Sequence, residues 1–210
     1  MNKKSFLVLP AVAVLLLSGC ATNVSTLEPD LAAYPAKSDP AAVKSAYIKN
    51  VTDGRVFSDN APQADMPTWS NDGTNEEARA VGRKRNSFGK AMGGIVFPEH
   101  MPVTSVVKTT LTQALIENGY RVVETDSEVT PDTKILEVRV NKFWSWMNPG
   151  FWQIKLSCDI EANVSPKDAE QVTVVGEYHE GFQAGTESNW LTVINRAIHN
   201  FYEDAKTKLK

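Results

Sequence analysis

Between residues 134 and 164 the chain runs twice through alternating apolar and polar positions, and this pattern constrains the fold more than any other. A period of two puts successive side chains on opposite faces of a pleated strand. In the first run, 134–147, Leu136, Val138, Val140, Trp144 and Trp146 share one face, against Glu137, Arg139, Asn141 and Ser145. In the second, 151–164, Trp152, Ile154, Leu156, Cys158 and Ile160 oppose Gln153, Lys155, Ser157, Asp159 and Glu161. Two such runs separated by a few residues predict an antiparallel hairpin. Directly opposed residues share a face, so bringing the apolar sets together needs an odd loop length. Asn148-Pro149-Gly150 would supply three residues, with Gly150 left-handed. Pro149 fits that turn imperfectly, which leaves a five-residue loop open. On this phase Trp144, Trp146 and Trp152 continue the core face. Phe143, Met147 and Phe151 fall on the other face, a candidate apolar contact patch unless the long loop preceding the hairpin covers that side.

The remaining segments dress this hairpin. Residues 43–51, centred on Tyr47 and Ile48, read as a first strand. No period holds over 52–101, where Pro62, Pro67, Gly73, Gly82, Gly89, Gly93, Gly94 and Pro98 punctuate the chain. Structureless stretches of this length are uncommon in compact domains and are usually functional or disordered. A short helix around 76–85 is compatible with the pattern. Val103, Val107, Leu111, Ala114, Leu115 and Asn118 form the stripe of an amphipathic helix that stops at Asn118-Gly119. A short strand over 120–124 and a turn at Pro131-Asp132 lead into the hairpin, and a further strand covers 172–184. Ser188 stands where it can cap a last helix with the stripe Leu191, Ile194, Ile198, Phe201 and Ala205. The order β, loop, α, β, β, β, β, α implies an α+β fold. Its expected form is an antiparallel or mixed sheet of about five strands, two helices on one face, and a long irregular loop.

The N-terminus has a different logic. Lys3 and Lys4 precede an apolar run over residues 6–17, interrupted only by Pro10. As a helix this run is about 18 Å long, well short of a ~30 Å hydrocarbon core, and so reads as a signal-peptide core. Leu17-Ser18-Gly19-Cys20 matches the lipobox of bacterial lipoproteins. That resemblance implies removal of residues 1–19 and a diacylglyceryl plus N-acyl lipid on Cys20. No other cofactor is expected. Ala21 and Thr22 follow, with no aspartate to favour inner-membrane retention, so the periplasmic face of the outer membrane is expected. Residues 20–42, with Pro29, Pro35 and Pro40, read as lipid anchor and flexible tether, and 43–210 as a single periplasmic domain. The tether would span at most ~75 Å extended and about 26 Å as a coil.

Charge and thiols narrow the function. Losing residues 1–19 removes two lysines and no acids, taking the formal charge from −3 to −5. A mildly acidic domain is a poor general binder of nucleic acid, and none is expected as partner. With Cys20 committed to lipid, Cys158 has no intramolecular disulfide partner, and phased into the core it is expected to be inert. Arg79, Arg83, Lys84, Arg85 and Lys90 reverse the local charge in a glycine-bearing segment. A phosphate-cradling P-loop would need glycine at 84 and Ser or Thr at 91, where Lys84 and Ala91 stand. The set reads either as a solvated basic turn or as a loose anion- or partner-binding site. His179-Glu180 lacks a second histidine four residues on, and His100, His179 and His199 have no metal-ligand spacing. No catalytic residue, metal site or enzymatic activity is expected.

Two stretches carry a family resemblance. "RAVGRKRNSFGKAMGGIVFPEHMPVTSVVKTTLTQALIENGYRV", residues 79–122, resembles uncharacterised proteobacterial lipoproteins with a near-identical basic loop before the helix. "GEYHEGFQAGTESNWLTVINRAIHNFYEDAKTKL", residues 176–209, resembles the YajG-like lipoproteins, whose strand ends in Phe-Gln-Ala before a terminal helix. The resemblance implies an outer-membrane lipoprotein and supplies no activity or catalytic residue. The expected function is therefore a lipid-anchored periplasmic domain that binds another envelope component. The alternative is an auxiliary lipoprotein that binds or hands over lipid for an envelope transport system.

Overall fold

Both period-two runs fold as strands, in a sheet larger than the sequence pattern indicates. A computed structural model describes residues 23–32, 42, 44–58, 63–69, 76–86 and 88–210. The signal-peptide and Cys20 expectations lie outside these residues. Along the chain come β1 (Ser25–Thr26), β2 (Lys44–Asp53), β3 (Ala80–Arg85), β4 (Ala91–Val96), α1 (Val103–Glu117), β5 (Tyr120–Val123), β6 (Lys134–Pro149), β7 (Ile154–Pro166), β8 (Val172–Phe182) and α2 (Glu187–Lys208). The fold is α+β as expected, with eight strands in place of about five. The order is β1-β4-β3-β6-β2-β5, with β7 beside β6 and β8 beyond β7. β7 follows β6 antiparallel from Leu136 to Pro149, so β2 and β3 share the other edge of β6, both parallel to it.

The additional strands arise where tether and irregular loop are expected. Ser25 and Thr26 pair in parallel with Ile95 and Val96, Leu27 donates to the Val96 carbonyl at 2.9 Å, and Leu31 packs on the core. Residues 25–31 are therefore part of the domain. β3 and β4 pair as a hairpin, and Gly82, Gly93 and Gly94 within them, which read as breakers, are close-approach positions. A Cβ on Gly94 would stand 2.2 Å from the Trp69 ring, and one on Gly93 2.5 Å from the Asn23 carbonyl. Glycine inside a strand marks such a contact as readily as a break. The short helix considered near 76–85 is a 3-10 turn, Glu77–Arg79, followed by β3.

β6 departs from an unbroken period of two. Val140 pairs with Ala162 and Lys142 with Glu161, which leaves Asn141 as a β-bulge. Leu136, Val138 and Val140 face the helices before it, and Phe143, paired with Ile160, faces them after it. Trp144 and Trp146 move to the opposite face. The same shift removes the parity argument for the hairpin loop. Pro149 pairs with Ile154 and Gly150 donates to the Gln153 carbonyl at 2.9 Å, giving a four-residue loop, 150–153, without positive φ at Gly150.

Both helices pack on one face. α1 buries Val103, Val106, Val107, Thr110, Leu111, Ala114 and Leu115. α2 buries Trp190, Val193, Ile194, Ala197, Ile198, Phe201, Tyr202 and Ala205, while Leu191 is half-buried at the margin. Its cap is Thr186, whose Oγ1 accepts from the Asn189 N–H at 3.3 Å, two residues before the expected Ser188. Lys206 joins the helices through Glu117 Oε2 at 2.9 Å. α2 also closes the β8 edge. Asn200 donates to the Glu177 carbonyl and Lys208 to the Thr173 carbonyl, each at 2.7 Å, and Asp204 accepts the Val175 N–H at 2.8 Å. Residues four apart on the helix thus satisfy alternate outward backbone groups of an edge strand, which leaves them unable to pair with another chain.

Gly176 sets the helix–sheet distance, since a Cβ there would lie 2.3 Å from the Ala197 carbonyl oxygen and 2.5 Å from the Phe201 backbone nitrogen. Gly176→Ala is expected to cost about 1–3 kcal/mol through overpacking. A lower urea midpoint at unchanged slope would report it; an unchanged midpoint would show that α2 has room to move.

Candidate functional site

β3 divides the basic residues expected to act together. Lys84 points to the helix side and is buried, its Nζ donating to Ser25 Oγ at 2.7 Å and to the Asn23 carbonyl at 3.1 Å. Ser25 Oγ in turn donates to Glu187 Oε1 at the start of α2. Arg83 and Arg85 occupy the other face. The Arg83 guanidinium lies 5.2 Å from the centre of the Trp69 ring, and Arg85 donates to Thr68 Oγ1 at 3.0 Å and to the Gly89 carbonyl at 2.9 Å. Burial, and then the neighbouring charge of Arg85, hold the Arg83 guanidinium below its ordinary value. Arg79 is a strut, donating to the Phe97 carbonyl at 2.8 Å and pairing with Glu76 at 2.9 Å. Lys90 is exposed in the turn. The five cations therefore form no single patch. Only Arg83 and Arg85 come together.

The expected apolar patch also divides. Phe143 is fully buried, edge-on to Phe97 at 5.4 Å between centroids, and cannot contact a partner. Met147 packs half-buried against the core. Phe151 is exposed at the hairpin tip, and beside it stands Trp152, expected in the core but found in the loop. Trp144 is buried, though away from the helices. Its ring meets Phe57 edge-on at 6.0 Å, and its Nε1 donates to the Ala64 carbonyl at 3.2 Å. Trp146 lies half-buried with Lys142 Nζ 5.1 Å from its ring centre.

Sequence reasoning missed Arg55. Its side chain is fully buried and pairs with Asp53 Oδ2 at 2.8 Å. It also donates to the carbonyls of Ala80, Phe143 (3.3 Å) and Glu77 (2.6 Å). These bonds make it a structural tie between β2, β3 and β6. Phe88 was missed too, though Asn86 and Gly89 around it are turn residues. Asn86 Oδ1 accepts from the N–H groups of Phe88 (3.0 Å) and Lys90 (2.9 Å), and Gly89 adopts φ 78°.

Between α1 and β5 lies a groove of about 520 Å³, lined by Ile48, Ile116, Val122 and Val123 and equally by the polar Lys108, Thr112, Gln113 and Glu124. No group of three His, Cys, Asp or Glu among the described residues is placed to hold a metal ion. None of the described helices is long and apolar enough to cross a membrane.

No family model matches the chain, and no curated protein matches it. Solved structures do. One uncharacterized protein is 9% identical, covering 90% of this chain and 99% of its own at TM-score 0.47. A Xanthomonas campestris protein of family DUF330 is 9% identical over 89% and 92%, at 0.38. A minor lipoprotein from Acinetobacter baumannii is 12% identical over 50% and 85%, at 0.34. At these identities and scores the likeness carries no residue role to this chain.

Two outcomes test the local account. Lys84→Met removes the ammonium that holds Asn23 and Ser25, and should lower stability by about 1–3 kcal/mol. Thermolysin should then cut near Leu27 and Leu31 faster than in wild type; equal cutting would mean that Lys84 does not hold the segment. Burial pushes the Cys158 thiol up to about 12. The unfolded chain ionises it near pH ~8.5, so this contribution to stability is full below that value and is lost as pH rises toward 12. Folded protein at pH 9 should leave a thiol reagent unreacted until urea is added.

Proposed function

We propose that the chain is a lipid-anchored domain of the bacterial envelope, fixed through Cys20, that binds another envelope component without catalysing a reaction. The observation that supports it most is the closeness of the anchor position to the fold. Asn23, bonded to Lys84, lies three residues from Cys20, a reach of about 11 Å. The tight docking of Ser25 to Leu31 suits a domain held beside a membrane. The YajG-like resemblance and an outer-membrane, periplasmic-face location belong to the same reading. A binding role is favoured by the chemistry present. Cys158 is buried and resists ionisation, and His100, His179 and His199 sit on a pre-α1 turn, β8 and α2 with no shared cluster. Arg83 and Arg85 over Trp69 and Thr68 are the charged contact this reading retains from the basic set. The lipid-transfer alternative is less favoured, because half of the residues lining the α1–β5 groove are polar.

Growth with an alkyne-bearing fatty acid tests the anchor. Wild-type protein should incorporate the label and begin at Cys20 by mass spectrometry, and Cys20→Ser should do neither. Label-free wild-type protein, or cleavage at another bond, would remove the basis of the proposal.

A further inference from the structure

A domain held at one end presents one surface to the membrane, and three observations converge on which surface that is. β3 runs parallel to β6 with Gly82 opposite Ser145, so the turn after β3 and the turn after β6 leave the sheet at the same end. These turns carry Phe88, Phe151 and Trp152, exposed by 92%, 90% and 83%. No other large apolar side chain among the described residues is as exposed. Singly exposed aromatics are ordinary; three from two adjoining turns at one end of a sheet call for an occupant.

The turns hold these rings outward. Asn86 closes the first through two bonds from its side chain and one from its backbone N–H to the Lys90 carbonyl at 3.0 Å. In the second, Phe151 and Trp152 meet edge to face with centroids 4.8 Å apart. The third observation is where the chain enters. β1 runs parallel to β4, and β4 runs away from the turn after β3. Asn23 therefore lies on the side of β1 nearer the aromatic turns, and Cys20 is three residues before it.

We propose that this end of the sheet docks on the lipid bilayer, with Phe88, Phe151 and Trp152 in the headgroup–acyl interface beside the Cys20 lipid. The proposal rests on the lipid-anchor reading. Aromatic rings favour this layer, and tryptophan most of all, because ring and N–H are served by apolar and polar surroundings at once. Lys90 and Lys155 are exposed at the same end and suit anionic headgroups. Among the described acids, Glu180 accepts from Tyr178 Oη at 3.0 Å and Glu187 accepts from Ser25. A bilayer is the occupant favoured over a protein because an anchor within about 11 Å of Asn23 keeps it there.

The test uses the full lipidated protein in vesicles of phosphatidylethanolamine and phosphatidylglycerol, with acyl-brominated phosphatidylcholine as quencher. Flotation reports anchoring, and tryptophan quenching reports docking. Trp152→Phe keeps an apolar ring and removes the reporter. Wild-type protein should float and lose fluorescence to brominated lipid, and the quenched component should disappear in Trp152→Phe. Protein that floats with equal quenching in both forms, or whose Trp152 stays open to aqueous acrylamide, overturns the docking and leaves the anchor intact. Protein that does not float overturns both.

Discussion

β6 has to serve two packing environments along sixteen residues. Its first half must turn Leu136, Val138 and Val140 toward the helices, and its second half must turn Phe143 and Met147 the same way. Val140 and Phe143 are three apart, so a strict period of two cannot do both. The extra residue at Asn141 resolves the conflict, and much of the outer layer follows from it. Trp144 and Trp146 are delivered to the face without helices, and Trp144 needs cover there. The segment after β2 provides that cover with Phe57 and the Ala64 carbonyl, while Trp69 lies over Gly94. β3 docks beside this second half of β6, which is how a loop read as irregular becomes sheet.

Arg55 is the pin of that outer layer. Burying a guanidinium is costly unless its donors are met, and breaking a buried pair leaves an uncompensated charge. Here the fork binds Asp53 and the carbonyls of Glu77, Ala80 and Phe143, and the Phe57 ring lies 5.0 Å from its centre. Its bonds cross from β2 to β3 and β6, so the outer cover is held by directional contacts. The helix side is held mainly by apolar packing, with α2 adding polar bonds at its margins, to the β8 edge, to Glu117 of α1 and to Ser25 of β1. The two faces of the sheet are thus stabilised by different physics.

This division explains what the sequence makes legible. α1 and α2 follow a 3.6-residue stripe that depends on neighbouring turns of the same helix, and both lie where the pattern puts them. Lys134, Tyr120 and Val172 start strands at the expected residues. Phase after Asn141 was not legible, because nothing in the residue types around it announces a bulge; Phe143 and the tryptophans changed faces accordingly. β1, β3 and β4 were hidden for another reason. Gly82, Gly93 and Gly94 read as breaks when their partners across space, Ser145, Asn23 and Trp69, are unknown. Lys84 likewise looked solvated beside Arg83 and Arg85. Alternation along β3 separates it from them, and the Ser25–Glu187 contact that receives it joins residues 162 apart.

The docking of Ser25 to Leu31 changes the physical character of the proposed anchor. A free tether of residues 20–42 would let the domain wander over tens of ångströms and present any face to the bilayer. With the chain pinned from Asn23 onward, a lipid on Cys20 leaves three residues of slack. Orientation then follows from where the chain enters the sheet, and the energetic demand on the aromatic turns becomes small. Under the proposed anchor they would not need to capture the protein from solution, since the acyl chains would do that; they would need only to favour one tilt among the few that so short a connection allows. Three exposed rings, too few to hold a domain on a membrane unaided, are enough for that task. Arg83 and Arg85, on the sheet face without helices, are engaged within the fold by Trp69, Thr68 and the Gly89 carbonyl, so the tilt would rest on the rings and on the short connection.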